Sequence, residues 1–197
     1  MARPKHEIAP GDLMSAEAYA KVRKERRVGL VERKRRRRLE VGPFASLHFE
    51  NYESMWFQVQ EMLYIERGGE AQIAGELAAY NPLIPKGREL VATVLFEIDD
   101  PERRKRVLAG LGGVEQTAYI EVAGERVRGV PEADQDRTSA EGKASSVQFI
   151  HFPFTPSAIA GFRAPGARVM VGFEHPAYAH MTVMPEPVRA ALAEDFD

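Results

Sequence analysis

The spacing of apolar positions along the chain changes period several times, and each change marks an element. After Pro10 and Gly11, Ser15 suits a helix cap and Glu17 the first turn of the stretch SAEAYAKVRKERRVGLVERKRRRR. Tyr19, Val22, Leu30 and Val31 give this predicted helix only a thin apolar stripe, interrupted by Arg26, so it should be long and lightly anchored. The period then shortens to two. Leu39 and Val41, then Leu47 and Phe49, alternate with polar neighbours on either side of Gly42-Pro43, which predicts two short strands.

Asn51 can cap the next helix, where Tyr52, Met55, Trp56, Val59, Met62 and Leu63 recur at the spacing of one buried face. Gly68-Gly69 ends it, and EAQIAGELAAY predicts a further helix before the rigid NPLIP turn. LVATVLFEI is nearly continuous in β-branched and apolar residues, the pattern of a largely buried strand. PERRKRVLAGL opens on a proline favoured in a first helical turn, and TAYIEVAGERVRGV reads as a hairpin turned at Ala123-Gly124. Residues 131 to 145 are polar and predict an exposed, mobile loop. SVQFIHFPF and ARVMVGFEH follow as strands, SAIAGFR and PEPVRAALAEDF as helices. Helices and hairpins mixed irregularly predict an α+β fold with a mixed, mostly antiparallel sheet.

Composition adds an asymmetry of charge. Residues 1 to 40 hold 13 Lys/Arg against 6 Asp/Glu, a balance of +7, while the other 157 hold 14 against 23, a balance of -9. The expected organisation is therefore a basic N-terminal helical arm, residues 1–40, and a single α+β domain, residues 41–197. Such an arm complements an acidic body, its own or a second copy's, so a homo-oligomer is expected. Cysteine is absent, which removes disulfides and thiolate chemistry from this polypeptide. No stretch approaches the roughly 20 apolar residues of a membrane span, and MARPKHEIAPGD does not read as a secretory signal, so the expected place is the cytoplasm.

Three features carry candidate chemistry. The run Arg33, Lys34, Arg35, Arg36, Arg37 and Arg38 offers guanidinium groups that suit phosphate or a protein partner. A helical run would spread these cations around the axis, and no aromatic residues are interleaved for base stacking. The second feature is FENYESMWFQVQEML, whose glutamines and glutamates interrupt a strongly aromatic segment. Its residues Glu50, Gln58 and Glu61, together with Arg36, Tyr80 and Asn81 of the YNPLIP turn, form a candidate ligand pocket. His48 and Glu50 lie two apart on one strand face, a pairing that suits acid and base work or a divalent metal, although no established ligand spacing is present. A hydrogen-bonded network tying helix to sheet explains the same residues without a ligand. The third feature is the late histidines, His151, His175 and His180, whose spacing suits a core or rim better than a metal face.

The order KRRRR, VGP, FEN, QVQEML, YNPLIP, VQFIHFPF and HPAY resembles a bacterial family known as domain of unknown function 3501, over nearly the whole chain from about Ile8. The resemblance implies a stand-alone protein of this size without an assigned reaction or cofactor. It also implies a redox or peroxide-stress setting, with a redox-protein partner of the rubrerythrin or iron–sulfur oxidoreductase kind. The function expected on these grounds is that of an accessory or binding protein acting through protein partners. The alternatives are an enzyme or small-ligand or metal-binding protein, and a nucleic-acid binder.

Overall fold

The structure, a computed structural model, describes residues 5–132, 138–139 and 142–197. A 20-residue helix, α1 (Ala16–Arg35), begins where Ser15 accepts a hydrogen bond from the Ala18 amide. The hairpin β1 (Arg38–Val41) and β2 (Ala45–Phe49) follows, turning at Gly42, whose φ of 68° suits the residue without a Cβ. Asn51 and Ser54 cap α2 (Tyr52–Glu66) reciprocally, each side chain accepting from the other's amide at 3.0 Å. Next come α3 (Glu70–Tyr80), β3 (Glu89–Phe96) and α4 (Pro101–Ala109), the last capped by Asp100. Then β4 (Ala118–Val122) and β5 (Glu125–Arg128) turn at Ala123 and Gly124, both with positive φ, as a tight hairpin demands. A two-residue strand, β6 (Val130–Pro131), precedes β7 (Val147–Pro153), α5 (Pro156–Arg163), β8 (Val169–His175), β9 (Tyr178–Val183) and α6 (Glu186–Leu192).

These strands form two antiparallel sheets, ordered β1-β2-β3-β7-β6 and β5-β4-β8-β9. The fold is α+β. One core lies between the sheets and is closed by Leu108, Phe162 and Leu192 from α4, α5 and α6. On the first sheet's other face a second core gathers Ile8, Tyr19, Met55, Trp56, Val59, Leu83, Ile84 and Val91. Strand β3 serves both: Leu90, Ala92 and Val94 enter the first core and Val91 the second. Burial on both faces is why its sequence shows no alternation.

Two elements differ from the sequence reading. Strand β9, unforeseen, pairs with β8 from Tyr178 opposite His175 to Val183 opposite Met170. Only Tyr178 of its six residues is buried, so this edge strand leaves no apolar alternation to read. The segment 131 to 145, expected as an exposed loop, holds Pro131 in β6, a bridge between Thr138 and Ala144, and a buried Ala144; its residues 133–137 and 140–141 lie outside those described.

Candidate functional site

The polar residues that interrupt α2 are bonded within the fold, and most of them grip the N-terminal segment. Gln60, only 1% exposed, accepts from the Met14 amide at 2.6 Å and donates to the Met14 carbonyl at 3.4 Å. Asn81 treats Ile8 in the same way, accepting from its amide at 2.8 Å and donating to its carbonyl at 3.0 Å. Trp56 donates its indole N–H to the Asp12 carbonyl at 2.9 Å. Glu61 accepts from the Tyr19 hydroxyl at 2.7 Å and from Arg23 through both carboxylate oxygens, at 2.8 and 2.7 Å. The Arg23 guanidinium holds the Glu61 carboxyl below its ordinary range, with a further bond from Tyr19 against the opposing effect of burial. Burial, then the bond to Glu61, pushes the Tyr19 phenol up.

The six residues singled out as a pocket therefore occupy several places. Gln58 and Tyr80 are brought together, amide to hydroxyl at 3.4 Å. Glu50 is buried and accepts from Ser54 at 2.6 Å and Thr93 at 2.8 Å. His48 shares its strand face but lies 3.2 Å from Ser46 instead; burial, then Arg38, holds its imidazole below the ordinary value. Glu61 and Asn81 hold the N-terminal segment, and Arg36 is exposed on a separate cleft.

That cleft, about 1010 Å³, opens where the C-terminal end of α1, the start of α2 and the last residues of the chain meet. Its lining mixes Lys5, Arg33, Arg36, Arg37 and Arg163 with Glu53, Glu194, Asp195 and Asp197, around apolar Ile84, Pro85, Ala191, Ala193 and Phe196. Most of these charges have partners. Arg33 meets Glu53 at 2.7 Å, Lys5 meets Asp12 at 2.8 Å, and Arg163 donates to the Phe196 and Asp197 carbonyls at 2.6 and 2.9 Å. The Arg36 guanidinium and the Glu194 carboxylate are exposed and make no hydrogen bond or ion pair among the described residues.

The basic run is thus divided by the fold. Arg35 pairs with Glu32, and Arg38 with Glu40 and Glu97. Arg37 is 7% exposed and closes on Asp195 while donating to the carbonyls of Phe49, Glu50 and Ala191. Burial pushes the Asp195 carboxyl up, against the pull of Arg37. Arg37 was expected, with the rest of the run, to meet phosphate or a partner, and its burial was not foreseen. Its signal was parity, because extending the alternation of Val41 and Leu39 back by two places Arg37 on the buried side of β1.

The late histidines are separate from the cleft. His151 Nδ1 lies 3.0 Å from Glu89 and Nε2 3.4 Å from Glu132, and the bond to Glu89 raises its affinity for a proton despite burial. His175 Nε2 lies 3.2 Å from the Gly112 carbonyl, and His180 packs on Tyr178. Tyr178, also missed, accepts from the Phe44 and Ala45 amides at 3.0 and 2.8 Å and donates to the Val41 carbonyl at 2.7 Å, fastening the first hairpin to the second sheet. Among the described residues no group of three or more His, Asp or Glu is arranged to hold a metal ion, and no helix is long and apolar enough to cross a membrane.

A family model described as protein of unknown function (DUF3501) matches residues 7–196. Among solved structures, a novel protein of unknown function from Burkholderia pseudomallei K96243 is 34% identical, with a TM-score of 0.89 over 96% of this chain and 99% of that one. No curated protein matches the chain.

Proposed function

The chain belongs to the DUF3501 family, and from that premise we propose that it is a cytoplasmic binding protein that takes a charged segment of a protein partner into the cleft at Arg36 and Glu194. The observation that carries this reading is the state of Arg36. Of the three arginines of the basic run that line the cleft, Arg33 and Arg37 are neutralised inside the chain, and Arg36 alone has no carboxylate. A guanidinium matches a carboxylate bidentately, and the apolar lining and unpaired Glu194 suit the flanking side chains and a basic residue of the same segment. Docking is favoured over group transfer because the imidazole beside the cleft, His6, is held by the Pro85 carbonyl at 2.6 Å and by Asp197 at 3.1 Å, and the one side-chain hydroxyl of the lining is the Tyr52 phenol.

Nucleic acid fits less well, since Arg33, Arg35, Arg37 and Arg38 are all engaged by carboxylates of the chain. In the redox or peroxide-stress setting the chain, which has no cysteine, leaves any thiol chemistry to its partner.

Fluorescence anisotropy with a labelled peptide of alternating Glu, Leu and Lys tests the reading. Binding is expected at low salt, weaker at high salt, and about tenfold weaker in Arg36→Glu, a change worth about 1.4 kcal/mol. Arg35→Glu, away from the cleft, leaves it unchanged. Equal affinity in wild type and Arg36→Glu contradicts the proposal.

A further inference from the structure

Helix α1 carries a second recognition surface, remote in chemistry from the cleft. Its 20 residues bury only Tyr19 and Leu30, and it bears eight Lys/Arg against three Glu. On its outward side Lys21, Lys24, Val28, Val31 and Arg35 recur at alternating steps of three and four, the spacing of a seam along which one helix meets another. Val28 is 67% exposed and Val31 51% exposed. Single exposed apolar residues are ordinary, but β-branched residues are poor helix formers, and two on one seam flanked by Lys21 and Lys24 form a contact surface with a charge preference. Neither lysine makes an ion pair among the described residues.

We propose that this seam docks a second copy of the chain through that copy's α3. Three properties of α3 match. None of its 11 residues is buried, although most are apolar. Its outward residues Ala71, Ala74 and Ala78 are short, leaving room for the valines. Glu70, exposed in its first turn, supplies the charge that Lys24 lacks. With the helices parallel, Lys24 falls beside Glu70 and Val28 beside Ala74, and Val31 comes level with Leu77, next to Ala78. Within one molecule α1 and α3 each pack on α2, and the seam and the outward alanines of α3 are both exposed. The seam belongs to the basic arm of +7 and its occupant to the body of -9, so a second copy brings the required sign. The contact is head-to-tail, each copy offering one face of each kind.

Sedimentation velocity with a mixing experiment tests this. Wild type is expected above the monomer mass at about 100 µM protein in about 50 mM salt, and at the monomer mass once salt screens the lysines, at about 500 mM. Val28→Asp with Val31→Asp, and separately Ala74→Glu with Ala78→Glu, are each expected to be monomeric with unchanged helical circular dichroism. Mixed, each supplies the face the other lacks, and a dimer that grows no further is expected. Arg36→Glu leaves the association unchanged, which separates this contact from the cleft. A wild type that stays monomeric at low salt overturns the proposal, as does association of the Val28 and Val31 double variant by itself.

Discussion

At the scale of single residues, Gln60 of the segment Phe49–Leu63 and Asn81 of the YNPLIP turn hold backbone that is remote in sequence. The Gln60 bonds span 46 positions and the Asn81 bonds 73. Sequence spacing showed that these groups needed partners, because a buried amide without one costs free energy, but it could not identify partners so far away. Gln60→Ala and Asn81→Ala each leave a pair of backbone groups unmatched and should destabilise by about 1–3 kcal/mol, read by urea unfolding. Arg37→Ala should cost more, about 3–5 kcal/mol, because Asp195 is left buried beside three carbonyls that also lose a donor. His151 adds a pH dependence. Both its ring nitrogens face carboxylates, which the imidazolium alone satisfies, and its pKa is raised above the ordinary value. Its contribution is therefore complete below the unfolded value of about 6.5 and lost as pH rises through the higher folded value. Amide exchange at Glu132, which donates to the Phe149 carbonyl at 3.0 Å, should then quicken beyond the intrinsic pH effect, and His151→Gln should remove that increment.

At the scale of elements, legibility followed the strength of the period. Helix α2 shows a 3.6-residue face that places Met55, Trp56 and Val59 in a core, and β3 was recognisable from its apolar run alone. Strand β9 was not, because its partner β8 and not its own burial makes it a strand. Its anchor is Tyr178, whose hydroxyl makes three bonds to the turn of the first hairpin. Tyr178→Phe keeps the ring in the core and removes all three, so thermal unfolding should show a loss of about 1–3 kcal/mol. Gly42→Ala strikes the same junction from the other side: the added Cβ would fall 2.6 Å from the His180 ring in a backbone with positive φ. It too should lower the melting temperature.

At the scale of the whole molecule, two cores share one sheet, and the N-terminal segment supplies Ile8 and Tyr19 to the second of them. Charge segregation was visible in composition; which charges remain available was not, since that depends on the folded positions of Glu53, Asp195 and Glu97. The candidate pocket residues were legible as polar groups in need of bonds, whereas the cleft at Arg36 is assembled from both ends of the chain and has no local signature. Its central claim is electrostatic, so a charge-swap cycle tests it most directly. Arg36→Glu should bind a peptide whose glutamates are exchanged for lysines more tightly than it binds the original, with wild type showing the reverse order. If both proteins rank the two peptides alike, Arg36 is not what the cleft uses to recognise a partner.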